Sequence, residues 1–395
     1  MSDDRTPVRP SRANLLPYGR QTIEEDDLGA VHAVLRSDWL TTGPKVAEFE
    51  RLVADHVGVR EAVAVSSGTA ALHAAMHALG LTAGDEVIVP AITFAATANA
   101  AVYVGARPVF ADVLRDNLLI DPRSVAERIT PRTRAIVAVD YAGHPCDYDA
   151  LQALAARHRL PLVVDACHAL GGAYRGRPVG SFGVMNVFSF HPVKHITTAE
   201  GGMVTTDDPA LAERMRRFRN HGIATDHRQR EKTGSWFYEM TELGFNYRLS
   251  DLQCALGISQ FRKLSGWIER RRQIARMYDE AFAGLPAVRP LQTAPDVGHA
   301  YHLYVVRVSD DRARVFADLR REKIGVNVHY VPVHLHPYYQ QQFGTGRGLC
   351  PVAEHAYEEI ISLPMFAGMS AGDVHDVVAA VRHVVNDGPD RAAAA

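Results

Sequence analysis

Three common features are scarce or missing in this sequence of 395 residues: paired cysteines, an excess of charge and a long apolar run. The four cysteines, Cys146, Cys167, Cys254 and Cys350, show no spacing typical of a zinc site or a disulfide framework, so reduced thiols are expected. Lysine and arginine number 43 against 45 aspartates and glutamates, which gives no electrostatic reason to expect a nucleic acid or an anionic membrane as partner. No apolar run approaches a membrane span, and the charged first residues lack the apolar core of a signal peptide. These absences predict a soluble cytoplasmic protein.

Glycine-rich phosphate loops are absent as well, because the sequence has neither G-x-x-x-x-G-K-[ST] nor G-x-G-x-x-G. Their absence argues against a nucleoside triphosphatase and against a nicotinamide-dependent enzyme. The sequence instead alternates short strands, rich in valine and isoleucine, with helices, which predicts a mainly parallel sheet covered on both faces. The predicted strands are 62–65, 87–90, 108–112, 135–140, 162–165, 184–190 and 202–206, and the predicted helices include 24–36, 70–79, 95–104 and 148–158.

The texture of the sequence changes near residue 259, where a long charged helix begins. Strands are predicted at 301–308 and 325–330, with a helix between them and a last helix over 371–385, which indicates a second, smaller α+β unit. The run Arg270-Arg271-Arg272 is expected to form a solvated face. The predicted organisation is an N-terminal arm over 1–20, a large domain over 21–260, a small domain over 261–387 and a disordered tail over 388–395.

One lysine, Lys194, follows the apolar strand that ends near Phe190. A lysine at a strand end among aromatic side chains is incompletely hydrated, which favours its neutral amine. A neutral amine can attack a carbonyl carbon and form a Schiff base. The ordinary alternative is a solvated loop lysine, and the residues upstream decide between the two.

A turn that could hold a phosphate lies directly after the strand 62–65, in Ser66-Ser67-Gly68-Thr69. A strand-to-helix turn of this kind exposes backbone N–H groups at the positive end of the helix. The alternative is an ordinary helix cap.

Three further residues point to a flat, charged ring. Asp165 ends a predicted strand, where α/β sheets place ligands, and its carboxylate could keep a pyridine nitrogen protonated, although it could also cap a helix. His168 could bind a ring hydroxyl, and Phe94 could stack on the ring, although both residue types more often lie in a core. Together with Lys194 and the phosphate turn, these residues describe one ligand, the phosphorylated pyridine aldehyde pyridoxal phosphate.

The motifs SSGTAAL, PAITF, VVDACHALGG, FSFHPVKHITTAEGG and LGFNYRLSDLQCALG resemble those of the DegT/DnrJ/EryC1/StrS aminotransferases over residues 15–366. The resemblance implies a fold-type I α/β enzyme with a mainly parallel seven-stranded sheet and a smaller C-terminal α+β domain, which moves the amino group of L-glutamate to a nucleotide-linked keto sugar. It also implies a homodimer whose two active sites are shared between the subunits. The residues that the resemblance assigns are Lys194, Asp165 and His168 for catalysis, Phe94 for stacking, Gly68, Thr69 and Ser189 for the phosphate, and Asn246 and Arg248 for the phosphate of the partner subunit.

Within that family, FSFHPVKHITT, WFYEMTELGFNYRLSD and GVNVHYVPVHLHPYY most resemble the transaminases that form UDP-4-amino-4,6-dideoxy-N-acetyl-β-L-altrosamine by amination at C4. Ala199 departs from the glycine usual there, which leaves the exact sugar open. The alternative is a C4 or C3 aminotransferase for a TDP- or GDP-linked keto sugar in antibiotic or surface-glycan biosynthesis. The substrate contacts predicted are Thr42, His329, Tyr330 and His334, and the histidine spacing favours a sugar pocket over a metal site.

Other functions fit the sequence less well. A dehydratase of the same family would carry histidine in place of Lys194, and a cysteine desulfurase would need a reactive cysteine near the ring, for which Cys350 is the only remote candidate. A non-catalytic binding protein on this scaffold would not need the pair of Lys194 and Asp165.

Overall fold

Helices and strands alternate along the chain as the sequence predicts. A computed structural model describes residues 12–225, 230 and 234–386. The helices are α1 (Glu25–Leu35), α2 (Pro44–Val57), α3 (Gly68–Ala78), α4 (Ala95–Tyr103), α5 (Pro122–Arg128), α6 (Tyr148–His158), α7 (Pro209–Phe218), α8 (Asp251–Phe261), α9 (Leu264–Phe282), α10 (Arg312–Arg321), α11 (Pro337–Phe343), α12 (Pro351–Glu359) and α13 (Ala371–Asn386). The strands are β1 (Glu61–Val65), β2 (Glu86–Pro90), β3 (Arg107–Ala111), β4 (Thr133–Val139), β5 (Leu162–Asp165), β6 (Ala173–Tyr174), β7 (Arg177–Pro178), β8 (Met185–Ser189), β9 (Gly202–Thr206), β10 (Val288–Pro290), β11 (Val297–Gly298), β12 (Tyr304–Val308) and β13 (Ile360–Leu363).

A seven-stranded sheet in the order β1-β9-β8-β5-β4-β2-β3 forms the centre of the large unit and confirms the predicted fold class. The strands from β8 to β3 are parallel, whereas β9 is antiparallel to both of its neighbours. Strands β2 and β5 are buried along their whole length, which explains their uninterrupted runs of valine, isoleucine and leucine over 87–89 and 162–164.

The direction of the strands brings distant parts of the chain to one edge of this sheet. Because β1, β2, β5 and β8 run the same way, the residues that follow them meet at their carboxyl ends, where α/β sheets bind ligands. This edge therefore receives the turn at Ser66, the segment to Phe94, the turn after Asp165 and the turn that carries Lys194.

The chain after α8 forms a second apolar core around the antiparallel sheet β10-β12-β13. Helices α9, α10 and α13 contribute to this core, and so does Leu16 of the N-terminal arm, whose N–H donates to the carbonyl of Lys323. The described part of the arm thus packs on the second unit, and Arg12 pairs with Asp373 at 2.8 Å. We propose the predicted division near residue 260 from these two cores.

The rest of the predicted arm, residues 1–11, the predicted tail over 388–395 and most of the charged run 227–232 lie outside the described residues. No helix within the described ranges combines the length and the apolarity that crossing a bilayer requires.

Two expectations about the second unit are wrong. Residues 325–330 form no strand, because the N–H of Gly325 bonds to Leu16 and that of Asn327 to Ser362, so that no single neighbour supports a ladder. The arginine run is not one solvated face either, since Arg271 is only 2% exposed. Arg271 lies in the buried stripe of α9, three residues after Ile268.

Candidate active site

Lys194 lies in a turn that is held by two backbone hydrogen bonds of Phe190. The N–H of Phe190 donates to the carbonyl of Gly201, and its own carbonyl accepts from the N–H of Thr198 at 3.0 Å. The Lys194 side chain is half-buried and forms no ion pair with any residue in the described ranges. Burial lowers the pKa of Lys194, while Cys167 and Asp165 act in the opposite direction. The turn thus shifts the amine toward its neutral form, which a nucleophile at a carbonyl requires.

Asp165 is held at the end of β5 by hydrogen bonds to both carboxylate oxygens. Oδ2 accepts from the Thr97 hydroxyl on α4 at 2.7 Å, and Oδ1 accepts from the N–H of Cys167 at 3.2 Å. The Thr97 hydroxyl is in turn 2.7 Å from the hydroxyl of Thr93. No helix begins directly after Asp165, where the described chain continues as a turn, so the alternative of a helix cap is wrong. The carboxylate is therefore fixed in orientation at the sheet edge.

His168 and Tyr330 form a pair across the two units. Nε2 of His168 lies 3.1 Å from the Tyr330 hydroxyl, and His168 is buried whereas Tyr330 is half-buried. Burial, and then the charge of Lys194, lowers the pKa of His168 well below its ordinary value, whereas burial raises the pKa of Tyr330. A neutral histidine has one N–H and the phenol one O–H, and their mutual hydrogen bond uses only one of these. Nδ1 of His168 has no partner among the described residues, so the pair keeps one donor in reserve.

Phe94 stands at the N-terminus of α4 with 59% of its surface exposed, which is unusual for a phenylalanine at the end of a buried strand. Its ring centroid lies 5.9 Å from that of Tyr330. An exposed aromatic face at this edge suits a flat ligand better than a core position, because a core phenylalanine would be covered.

The N-terminus of α3 comes unusually close to the end of β8. A Cβ atom on Gly68 would lie 3.0 Å from Cβ of Ser189 and 3.2 Å from Sγ of Cys167. Ser67 caps the helix by accepting from the N–H of Ala70 at 3.0 Å. The first N–H groups, at Gly68 and Thr69, have no partner within the helix and remain available to an anion. The structure thus brings Gly68, Thr69 and Ser189 together.

The predicted substrate residues are placed differently from one another. His329 is buried, its Nδ1 is 2.8 Å from the Ser362 hydroxyl, and burial followed by the charge of Lys194 lowers its pKa to about 4. His334 is fully buried and pairs with Glu354 at 3.0 Å, so its side chain offers no surface to a substrate, and we do not retain it as a contact. Thr42 lies in the turn before α2, and no contact within the described ranges joins it to Lys194.

Asn246 and Arg248 lie on a segment that passes the end of β1 in the same chain. The carbonyl of Tyr247 accepts from the N–H of Ser66 at 2.8 Å, and Arg248 donates to the Asn220 side chain at 2.8 Å. Asn246 is exposed and Arg248 is half-buried. Their contact with the partner's phosphate stays a prediction.

The structure adds two residues that the sequence reasoning missed. Thr97 bonds Asp165, and no sequence signal distinguishes it from other helical threonines. Cys167 lies beside Gly68 and two residues after Asp165, so its place between Asp165 and His168 was an available signal. Cys350, named as the candidate for a desulfurase, is fully buried. Because burial raises the pKa of the Cys350 thiol to about 12, it does not supply a reactive thiolate.

These residues fit pyridoxal phosphate. The close approach at Gly68 leaves backbone donors for a phosphate, Asp165 presents a fixed carboxylate for a ring nitrogen, and the pair of His168 and Tyr330 keeps a donor for a ring hydroxyl. A mainly parallel seven-stranded sheet with this edge, followed by a smaller α+β unit, defines a pyridoxal-phosphate-dependent aminotransferase of fold type I.

The chain belongs to the DegT/DnrJ/EryC1/StrS aminotransferase family, whose sequence model matches residues 21–382. It is 42% identical over 381 residues to the spore coat polysaccharide biosynthesis protein SpsC of Bacillus subtilis, covering 95% of this chain and 98% of SpsC. The PLP form of Spr1654, a sugar aminotransferase of Streptococcus pneumoniae, superimposes with a TM-score of 0.89 at 32% identity, covering 94% of this chain and 99% of that chain. PseC of Helicobacter pylori, an aminotransferase involved in the biosynthesis of pseudoaminic acid, has a TM-score of 0.89 at 33% identity, covering 95% and 100%.

Proposed function

We propose that this aminotransferase moves the amino group of L-glutamate to the C4 keto group of a UDP-linked 4-keto-6-deoxy sugar of the altrosamine type. The observation that carries the proposal is the amine of Lys194, whose pKa is lowered by burial, set beside the fixed carboxylate of Asp165. This arrangement suits reactions in which a carbon next to an amino group gives up a proton.

Each residue has a separate task in the proposed reaction. When bound, pyridoxal phosphate supplies a carbonyl carbon that takes and returns the amino group and a ring that absorbs electrons. Asp165 holds the proton on the ring nitrogen, which keeps the ring an effective electron acceptor. Nζ of Lys194 takes a proton from Cα of glutamate, and in the second half-reaction it delivers a proton to C4 of the sugar. Gly68, Thr69 and Ser189 hold the phosphate, and Phe94 covers one ring face.

The sugar assignment rests on the residues around Tyr330 and on the likeness to PseC. His329 and Tyr330 come from the second unit and border the same edge as Lys194, as the effect of the Lys194 charge on the pKa of His329 indicates. Such polar side chains suit the hydroxyls of a hexose. We propose His329 and Tyr330 as sugar contacts on this basis.

A second candidate is a C4 or C3 aminotransferase for a TDP- or GDP-linked keto sugar in surface-glycan or antibiotic biosynthesis. The observation in its favour is the 42% identity to SpsC, a protein of polysaccharide biosynthesis. Both candidates use the same chemistry and differ in the nucleotide and in the position of the keto group.

We also propose a homodimer with shared active sites. The segment from Trp236 to Phe245 exposes a run of large apolar side chains, with Trp236 86% exposed, and such patches mark protein interfaces. The base of the segment is anchored in its own chain, because the rings of Phe245 and Tyr247 pack on His73 of α3. The exposed part is thus free to reach a second copy, and Asn246 and Arg248 follow directly.

One panel tests the substrate. The holoenzyme is incubated with ¹⁵N-labelled L-glutamate and, separately, with 3-keto and 4-keto-6-deoxy sugars linked to UDP, TDP or GDP, and the products are identified by mass. We expect ¹⁵N in the product of the UDP-linked 4-keto sugar. Labelling of only a TDP- or GDP-linked sugar would favour the second candidate, and no labelled sugar at all would contradict both.

A further inference from the structure

Arg271 is a buried cation without a carboxylate partner. Burial lowers its pKa to about 10, so the guanidinium is still protonated at neutral pH. Its Nη1 donates to the carbonyl oxygens of Tyr301 and Met365, each at 3.0 Å, and more weakly to that of His302 at 3.4 Å. Its Nε is buried and has no acceptor, and no Asp or Glu in the described ranges forms an ion pair with it. A buried charge of this kind is costly unless a counter-ion compensates it.

The Arg271 side chain lines a small cavity beside the active-site lysine. The other walls include Lys194, Arg20 of the arm, Trp267 of α9 and Gln260 of α8. Arg20 is exposed and forms no hydrogen bond or ion pair with another residue of the described chain. No aspartate or glutamate is among the described residues that line the cavity. The cavity is therefore positively charged on at least two sides.

Asp27, whose carboxylate is connected to the cavity wall through Gln260, already has a partner for each of its two oxygens. Oδ1 of Asp27 pairs with Lys263 at 2.8 Å, and its Oδ2 accepts from the Gln260 side chain at 2.6 Å. Gln260 also accepts from the N–H of Thr197 and donates to the carbonyl of Thr22, which braces two walls of the cavity. The shape of the cavity is thus fixed, while its charge is left uncompensated.

The charge of Arg271 affects the pKa of His195, which also lines the cavity. Its Nε2 donates to the carbonyl of Ala300 at 3.1 Å. Burial, and then the charge of Arg271, lowers the pKa of His195 well below its ordinary value. His195 is therefore neutral and adds no positive charge, so the attraction for an anion comes from Arg271 and Arg20.

We propose that this cavity, the Arg271 cavity, binds a small monovalent anion, a single carboxylate group or a halide, between Arg271 and Arg20. The cavity volume of about 10 Å³ is near the room that one water molecule needs, which suits a halide or the end of a carboxylate and excludes a phosphate. The anion site does not depend on which sugar the enzyme aminates.

Trp267 provides a direct probe, because it lines the cavity and the chain has only three tryptophans. In a holoenzyme carrying Trp39→Phe and Trp236→Phe, bromide is titrated at constant ionic strength and Trp267 fluorescence is recorded. We expect saturable quenching. Arg20→Gln should weaken the apparent bromide affinity about 5- to 30-fold, as the loss of one charged contact does. The matched control is Arg276→Gln, because Arg276 lies on the helix of Trp267 and Arg271 but pairs with the exposed Glu269. This variant should leave the bromide affinity unchanged.

Arg271→Met should abolish saturation, and Arg20→Gln keeps the test valid if the buried variant does not fold. Glutarate, which has the carboxylates of glutamate without its amine, distinguishes the sources of the anion. Competition with bromide would assign the cavity to a carboxylate of the amino donor, whereas bromide binding without competition would assign it to an inorganic anion. Quenching that rises linearly with bromide, or that Arg20→Gln leaves unchanged, would overturn the proposal.

Discussion

At the scale of single residues, the chemistry depends on which protonation state each side chain holds. Lys194 needs a neutral amine, and burial moves its pKa in that direction. Asp165 needs a fixed charge, and two hydrogen bonds hold its carboxylate. The two requirements are opposite, and the site meets them with a half-buried lysine and a buried aspartate at neighbouring strand ends.

Asp165→Asn keeps the shape and the hydrogen bond from Thr97 but removes the charge. An opposite charge within a few ångströms raises a pKa by about 1–3 units, so its loss leaves the ring nitrogen of the cofactor mostly unprotonated. We expect amino transfer from glutamate to slow by about 10- to 1,000-fold, while cofactor and glutamate still bind. Single-turnover absorbance measures the conversion of the cofactor to its aminated form.

Asp140→Asn is the matched control for that prediction, because Asp140 is a buried aspartate at the end of the neighbouring strand β4. Its carboxylate accepts from the Tyr148 hydroxyl at 2.5 Å, within the core. This variant should change stability more than the rate of conversion. A normal rate in Asp165→Asn would show that the charge is dispensable.

Lys194→Arg should abolish covalent attachment of the cofactor, since a guanidinium stays protonated and supplies no neutral amine. In the unmodified protein, borohydride should fix the cofactor to the peptide that contains Lys194, and peptide mass spectrometry locates the label. In Lys194→Arg no peptide should carry it. A label on any other lysine would assign the attachment elsewhere.

At the scale of elements, the closest approach in the site is that of α3 to β8. Gly68→Ala would place a Cβ 3.0 Å from Ser189 and push the helix away from the phosphate position. A charge-assisted hydrogen bond contributes about 1.5–3 kcal/mol, so we expect pyridoxal phosphate to bind about 10- to 150-fold more weakly. Equilibrium dialysis of the cofactor measures the change.

Gly29→Ala is the matched control for Gly68→Ala, because a Cβ at this position of α1 meets no atom within 4 Å. Alanine is the better helix former, so this variant should be stabilised by about 0.5–1 kcal/mol and bind the cofactor normally. Equal cofactor affinity in the two variants would mean that α3 does not hold the phosphate.

Local patterns in the sequence predict the elements of the sheet well, and long-range contacts explain the errors. The strand 162–165 has its predicted bounds, because a short valine-rich run buried on both faces has few alternatives. The strand predicted over 325–330 does not form, because the hydrogen bonds of this segment go to Leu16 and Ser362, which are far away in the chain. The prediction for Arg271 is wrong because a run of three arginines resembles a solvated face. Helical spacing nevertheless puts the middle residue of the run in the core.

The same limit applies to the candidate site. Residues at the end of a strand or a few residues after it, such as Asp165, Phe94 and Lys194, could be placed at one sheet edge from sequence, because parallel strands end together. The contacts of Thr97 with Asp165 and of Tyr330 with His168 could not, because they join elements whose packing no local pattern specifies.

At the scale of the whole molecule, the exposed segment from Trp236 to Phe245 supports the proposed homodimer. Mixing two inactive variants tests whether its active sites are shared. A subunit with Arg248→Ala should complement a subunit with Lys194→Ala, because mixed dimers regain one intact site in which each chain supplies what the other lacks. We expect mixtures to recover up to about a quarter of the wild-type activity, since about half of the dimers are mixed and each has one site.

The control is each variant mixed with itself, which should stay inactive. Subunit exchange is verified by native mass spectrometry with one variant isotopically labelled. If mixed dimers form and no activity returns, each site is built from a single chain.

The antiparallel strand β9 also determines when the active site can form during folding. It pairs with β1 through Glu61 and Thr206 and with β8 through Ser189 and Gly202, so β1 and β8 are joined within the sheet only through it. Contacts between segments so far apart in the chain form slowly, because a long loop must close first. During synthesis the ribosome has to release residues 202–206 before the two halves of the cofactor pocket can meet. Until then the nascent large unit exposes an unpaired edge at β8, and an unpaired strand edge promotes aggregation.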